Sequence, residues 1–548
     1  MARTSSPYSA AAKRAKVRVA IEKALASGDI AQAADLAESA LSAREHDPML
    51  LNLAAWRREE AGDYAGAHRL LHQALLLAPG DVMVLGAIGA VLRKEGRLDE
   101  ALAVLDRVVE VEPRHAAAWL ERGYTLDAMR DNAGAAQSYE RALAIDPRLA
   151  PAYGRLADAA AKRGESGTAR ELAARALELQ PHDPAAICAL ATVAIEARDG
   201  VEAEGRLAPL LASGIKGDDL TRALTLMGDA LDRQDRTDDA FARYDRAQAN
   251  FRKVYAPVLA PTAKRPSHCH FIDRIAAQVA SAPAMIAPAL VEPFVGEAAT
   301  HVFLLGYPRS GTTLVENVLA SAPNVMALEE RDTLADVDDV LLMDDGTMPD
   351  LDGLDAAQVT SLRAAYWSRV REYGGDVDGR LFVDMNPLGG IKLPIIARLF
   401  PEARILVMRR DPRDVVLSCY RLNFTPSPAA WAFSDLTEAA QHYSALMALT
   451  QLCRDRLALA FHEVRYDRLV TNFEATVREM ADFIGLEWTE AFCRFDRTAK
   501  ARGVQTASVT QVRRGLYDGR GQWRRYAEQL APALPILAPW VEQFGFEP

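Results

Sequence analysis

Small and apolar positions in the first half of the chain recur every 34 residues. Proline stands at Pro79, Pro113, Pro147 and Pro181. Twelve residues before each come Ala67, Ala101, Ala135 and Ala169, and five before each come Ala74, Val108, Ala142 and Ala176. Polar turns such as AGDYAGA and KEGRLDEA divide most units in two. The pattern predicts a pair of helices per unit, with small residues where they cross and proline where the second one ends. Extended backwards, the frame gives a unit at 14–47 with Gly28, Ala33 and Ala40. It blurs from 183 to about 220 and returns at about 221–254 with Gly228, Ala240, Tyr244 and Ala247. About seven units are expected over 14–254, the sixth of them degenerate. Residues 255–297 form a proline-rich connector, broken by Pro257, Pro261, Pro266, Pro283, Pro288 and Pro293, with one helix near HFIDRIAAQVA. From 298 to 548 short apolar runs (HVFLLGY, RLFVDMN, ARILVMRRD, LALAFHEVRYD) alternate with helical stretches. That alternation predicts an α/β domain built on a parallel sheet with crossover helices.

Composition narrows the function. The chain has 548 residues, half of them apolar and a quarter charged, enough for several domains with sizeable cores. Its net charge of −11 argues against nucleic acid as a general partner, so any anion site depends on local basic clusters. No apolar run approaches the ~20 residues of a membrane span, and the N-terminal residues do not read as a signal peptide. Five scattered cysteines, Cys188, Cys269, Cys419, Cys453 and Cys493, suit reduced thiols and a cytoplasmic location. In SHCHF, His268 and His270 flank Cys269, but adjacent residues rarely point at one ion, and no metal is expected.

Candidate chemistry lies just after the apolar runs, where a parallel sheet presents its ligands. The stretch FLLGYPRSGTTLVENVLA carries Gly306 and Gly311 at the spacing of a phosphate-binding P-loop, G-x-x-x-x-G-K-[ST]. Thr312 holds the lysine position, and the cation is Arg309, inside the loop. The backbone N–H groups of 307–313 and the positive end of the following helix suit an anion handled without a γ-phosphate. In RRDPRDVVLSC, Arg410 and Ser418 suit a second phosphate, while a solvated helix start paired with Asp411 and Asp414 explains the same residues. Near the end, VQTASVTQVRRGLYDGRGQWRRY gathers Ser508, Arg513, Arg514, Arg520, Arg524 and Arg525 around Trp523. It reads as an anion lid or as a basic surface patch.

The repeats resemble tetratricopeptide repeats, whose stacked units form a solenoid with a concave face for a peptide or protein partner. Taken together, YPRSGTT, RRDPRDVVLSC and TASVTQV…GRGQWRRY resemble the donor-binding motifs of bacterial tetratricopeptide-repeat sulfotransferases and, more distantly, of tyrosylprotein sulfotransferases. The resemblance covers roughly 300–530. It implies a P-loop-like sulfotransferase domain that moves a sulfuryl group from 3′-phosphoadenosine 5′-phosphosulfate to a hydroxyl, without a metal. It assigns the donor to Pro308, Arg309, Ser310, Gly311, Thr312, Thr313, Arg410, Ser418, Ser508 and Arg520. It also explains the missing lysine, since this donor has no β- or γ-phosphate.

The same resemblance places Glu330, in MALEERDTL, as the catalytic base, with its neighbour Glu329 left open as the one that points inward instead, and Arg309 as a catalytic cation. The family's D-K-x-P lysine is replaced by Met385, between Asp384 and Pro387. Methionine cannot neutralise a developing oxyanion, so three possibilities stay open. Arg309 carries the charge alone, Lys392 reaches in, or the domain is a catalytically weak nucleotide-binding scaffold for protein–protein interaction. Protein tyrosine is one acceptor compatible with the motifs; a carbohydrate or small metabolite is another.

Overall fold

The computed structural model describes residues 7–43, 47–282, 296–502 and 515–547. These fall into two compact units, Met1–Val193 and Ala194–Pro548.

The first unit consists of paired antiparallel helices, among them Pro48–Glu60 with Tyr64–Leu77, Val82–Lys94 with Leu98–Val111, Ala116–Ala128 with Asn132–Ile145, and Ala150–Lys162 with Ser166–Leu179. Each period-34 proline falls two residues after a second helix ends, where its ring bars a further turn. Ala67, Ala101 and Ala169 have no exposed surface, and neither have Ala74, Val108, Ala142 and Ala176, so the small positions are the helix crossings. The turn inside each pair needs one left-handed residue. It falls at Gly28, Gly62, Gly96 and Gly164, with Arg130 (φ 62°) filling the same place in the remaining unit. Close approach also demands glycine at Gly123, where a Cβ would stand 2.3 Å from the Tyr139 ring.

In the second unit the stretch where the frame blurs still holds the helix Gly200–Ala212. The last predicted repeat forms Gly217–Asp232 and a 23-residue helix, Thr237–Leu259. The connector's predicted helix is His268–Ser281. A five-stranded parallel sheet follows: β1 (Thr300–Leu305), β2 (Val325–Glu329), β3 (Leu381–Met385), β4 (Arg404–Arg409) and β5 (Ala460–Arg465), in the order β2-β3-β1-β4-β5. Both faces are covered: Phe303 and Leu305 of β1 enter one apolar cluster, Val302 and Leu304 the other. Central β1 lies between β3 and β4, so the loops after these strands meet at one edge. Among the described residues no helix is long and apolar enough to cross a membrane.

The last repeat is part of the same unit as the sheet. Asp232 accepts from Tyr526, pairs with Arg421 at 3.1 Å and with Arg525 at 3.0 Å. Arg421 also donates to the Tyr244 hydroxyl, which itself donates to Asp229. Nearby, Gln248 donates to the Tyr420 carbonyl and Tyr420 to Asp245. Arg421 caps the helix Pro412–Tyr420, which carries Ser418. The repeat therefore buttresses a helix of the candidate anion site. Asp232→Ala strips one partner from the mostly buried Arg421 and should destabilise this unit by about 3 kcal/mol, the low end for such a loss because Asp229 remains. Denaturant unfolding of the parent and the variant checks it.

Candidate functional site

The loop after β1 is closed by its own side chains. The Ser310 hydroxyl accepts from Tyr307 N–H at 3.3 Å, and Ser310 N–H donates to the Tyr307 carbonyl at 3.0 Å. Two of the loop's backbone donors are thus spent internally. Gly311 (φ 111°) caps the loop helix Thr312–Leu319, and a Cβ there would stand 2.9 Å from the Tyr466 ring. Ser310, Thr312 and Thr313 are buried and Pro308 is half-buried. Arg309 adopts φ 70°, a conformation that a bulky residue keeps only when its surroundings enforce it.

Arg410 supplies that enforcement. Its Nη1 donates to the Arg309 carbonyl at 2.9 Å, its Nη2 to the Gly519 carbonyl at 2.6 Å, and it stacks on the Tyr466 ring at 4.7 Å. Arg309 Nε donates to the Ser418 hydroxyl at 3.0 Å. The first two sequence motifs therefore abut, with Arg309, Arg410 and Ser418 in one cluster. Burial and then the nearby Arg410 pull the Arg309 guanidinium down to about 10, against the pull of the Glu330 carboxylate; it stays a cation. Arg409, the other arginine of the pair, points elsewhere: it is buried, bonds Glu463 and stacks on Phe544. Neither Asp411 nor Asp414 takes Arg410 as a hydrogen-bonded partner. Asp411 caps its helix and pairs with Arg413 at 2.8 Å. Asp414 accepts the N–H groups of Gly521 and Trp523 at 2.8 and 2.9 Å.

That contact lays the C-terminal segment across the helix Pro412–Tyr420, helped by the Tyr466 hydroxyl on the Tyr517 carbonyl and by Trp523 over Arg413. Ser508, Arg513 and Arg514 lie outside the described residues. Arg520 is exposed and folds back on Asp518. Arg524 and Arg525 pair with Glu547 and with Asp232 and Asp235. The sequence carries no signal for Tyr466, nor for the backbone partners that Asp414 takes in place of an arginine.

Glu330 follows β2 with φ 45°, its N–H bonded to the Met385 carbonyl at 3.0 Å. It is exposed, whereas Glu329 is half-buried in register with Met385. Met385 is fully buried among Val302, Leu304 and Leu314, and supplies no charge. Lys392 is held by Asp332 at 3.0 Å and by Asp338. It lines a cavity of about 10 Å³, room for one water, together with Asp332, Thr333 and Asp384. Asp384 Oδ2 accepts the hydroxyls of Thr333 (2.6 Å) and Tyr366 (2.7 Å), and Tyr366 in turn meets His301 Nε2 at 2.8 Å. Burial pushes the Asp384 carboxyl up to about 6, against the two hydroxyls, and pushes the His301 imidazole down to about 3, so His301 is neutral. The lone acid in the apolar run LFVDM was the sequence's trace of this network. Among the described residues no cluster of three or more histidine, cysteine or acidic side chains is arranged to hold a metal.

Residues 301–490 match the model of the sulfotransferase family, and residues 59–121 and 123–184 match tetratricopeptide-repeat models. An uncharacterized protein of Aquifex aeolicus is 29% identical over 246 residues, which are 43% of this chain and 32% of that protein. This chain thus spans about a third of that relative's length. Protein-tyrosine sulfotransferase 1 of Danio rerio and protein-tyrosine sulfotransferase A of Caenorhabditis elegans are each 23% identical over 45% of this chain, covering 72% and 67% of their own lengths. Among solved structures, the sulfotransferase domain of the Synechococcus PCC 7002 olefin synthase aligns with 47% of the chain at 20% identity and a TM-score of 0.34. PilW, a type IV pilus biogenesis factor, aligns with 39% at 20% identity and a TM-score of 0.32.

One buried acid at this site makes its own prediction. Glu316, on the loop helix, has no exposed surface; Arg502 Nη2 donates to its Oε1 at 2.8 Å and to the Ala327 carbonyl at 2.9 Å. Burial pushes the Glu316 carboxyl from 4.5 up to about 7, against Arg502 and reinforced by the charges of Glu329 and Glu330. The folded state then binds more protons than the unfolded chain between those values, so stability should fall as pH rises from about 4.5 to about 7. Glu316→Gln should flatten that slope, read as unfolding free energy against pH.

Proposed function

On the premise that tetratricopeptide repeats here precede a sulfotransferase-family domain, we propose that the chain moves a sulfuryl group from 3′-phosphoadenosine 5′-phosphosulfate to a hydroxyl acceptor. The observation that carries the proposal is the meeting of Arg309, Arg410 and Ser418 at the carboxyl edge of the sheet, with Arg309 under the electrostatic influence of Glu330. The loop residues Pro308 to Thr313 take the 5′-phosphosulfate; Arg410 and Ser418, with Ser508 and Arg520 from the C-terminal segment, take the 3′-phosphate. No lysine or Mg²⁺ is required.

The chemistry is in-line displacement. The acceptor oxygen forms a bond to sulfur as the bond from sulfur to the bridging phosphate oxygen breaks. The Glu330 carboxylate takes the hydroxyl proton, and negative charge grows on the departing phosphate. Arg309 is the cation for that charge: Met385 has none to offer, and the Lys392 ammonium is already engaged by two carboxylates. Protein tyrosine is the acceptor class we favour, by likeness to the protein-tyrosine sulfotransferases, with the repeats recruiting the acceptor or a partner protein. Five free thiols suit a reducing, cytoplasmic setting. The buried Met385 favours a second reading, a nucleotide-binding scaffold with weak or no turnover.

Calorimetry tests the donor, and a transfer assay separates the two readings. Calorimetry without Mg²⁺ should find 3′-phosphoadenosine 5′-phosphate bound about ten to a hundred times more tightly than adenosine 5′-phosphate, the worth of one charge-assisted phosphate contact. Arg410→Ala should erase most of that preference, and equal affinities in the parent would reject the donor. Glu330→Gln should lower turnover by ~10²–10⁴-fold and leave nucleotide affinity unchanged, as for loss of a general base. Labelled sulfate transfer into a lysate reads it; a parent that binds the nucleotide but labels nothing is the scaffold.

A further inference from the structure

Glu330 holds a backbone conformation that a glutamate does not choose for itself. A φ of 45° persists only when neighbouring structure fixes the chain on both sides. Three of the fixing groups come from one stretch, 384–392, and the Tyr373 ring under Arg331 lies outside it. On the amino side, Glu330 N–H donates to the Met385 carbonyl. On the carboxyl side, the buried Thr333 hydroxyl donates to Asp384 Oδ2 at 2.6 Å. Between them, Lys392 Nζ holds Asp332 at 3.0 Å. The same stretch reaches the anion loop, where Gly306 N–H donates to the Pro387 carbonyl at 3.2 Å. Asp384 is itself held in place from behind by Tyr366 and, through it, by His301 on β1.

We propose that Asp384 and Lys392 are positioning residues: by anchoring Thr333 and Asp332 they hold the Glu330 turn, and so the general base, in register with the anion loop. This rests on the reading of Glu330 as the base. It gives the end of β3 and the turn after it a task that survives the replacement of the family's lysine by Met385. Lys392 then acts on the base turn through Asp332 and does not touch the donor. Asp384 works as an ionised acceptor for two hydroxyls, because an oxygen so placed fixes Thr333 more firmly than a neutral partner would.

The test uses the full-length protein and two readouts. Thr333→Val keeps the side chain's shape and removes its hydroxyl; Thr333→Ser keeps the hydroxyl. Hydrogen exchange of the 329–334 amides reports the turn directly. Thr333→Val should speed exchange at Glu330 about tenfold or more, as for loss of a hydrogen bond to a charged group. It should also lower kcat about ten- to a hundredfold, as for a misplaced catalytic group, while affinity for 3′-phosphoadenosine 5′-phosphate stays at the parent value. Thr333→Ser should restore both. Lys392→Met, which releases Asp332, should shift both in the same direction and serves where Thr333→Val does not fold. Parent-like exchange in Thr333→Val and Lys392→Met overturns the proposal whatever the activity. Faster exchange with unchanged kcat overturns it as well, since the placement of Glu330 then has no catalytic use. A parent that transfers to no acceptor defeats the reading of Glu330 as base, and exchange still decides the anchoring.

Discussion

The Arg410 guanidinium is the knot on which the site depends. A cation at the end of a central strand must satisfy several N–H groups in a half-dry place, and it does so on the carbonyls of Arg309 and Gly519. Each such charge-assisted bond is worth about 1.5–3 kcal/mol, and losing the donor would leave the carbonyls unpaired. One bond holds the anion loop in its left-handed turn at Arg309. The other pulls the C-terminal segment over the helix Pro412–Tyr420, where Asp414 secures it through two backbone amides. A single residue after β4 thus joins pieces that are 101 and 109 residues away from it in the chain.

Charge is distributed with the same economy. Arg309 sits between a like charge, Arg410, and an opposite one, Glu330, and remains protonated despite its burial. That leaves a cation and a carboxylate within electrostatic reach of each other beside the loop after β1. Lys392, the other cation considered for this role, is neutralised by Asp332 and Asp338 and supports the turn that carries Glu330. Buried Met385 contributes its backbone carbonyl to that turn, and its side chain only to the core.

The last helical pair belongs structurally to the sheet domain. Asp229, Asp232 and Asp245 receive Arg421, Tyr526 and Tyr420, which lie at the end of the Ser418 helix and of the C-terminal segment. Repeats are ordinarily self-contained, each resting on its neighbours. Here the terminal one rests on the domain that follows, and its acids replace the polar cap that a solenoid end would otherwise need.

The sequence by itself determined what depends on neighbours a few residues away. The helix pairs were legible because small residues, left-handed turns and prolines act within one 34-residue unit. The anion loop was legible because Gly306 and Gly311 have no room for a side chain: a Cβ on the first would come within 2.9 Å of Ser310 Oγ, and on the second within 2.9 Å of the Tyr466 ring. Only the tertiary structure decided which charge serves which partner. Asp414 meets Gly521 across 107 residues, Asp384 meets Thr333 across 51, and Glu316 meets Arg502 across 186. In the sequence each reads as one more acid among 75. Chain folding, by burying each beside one particular donor, turns an acid that would suit a solvated surface into a fixed part of the site, because a carboxylate removed from water must find a partner where it lies.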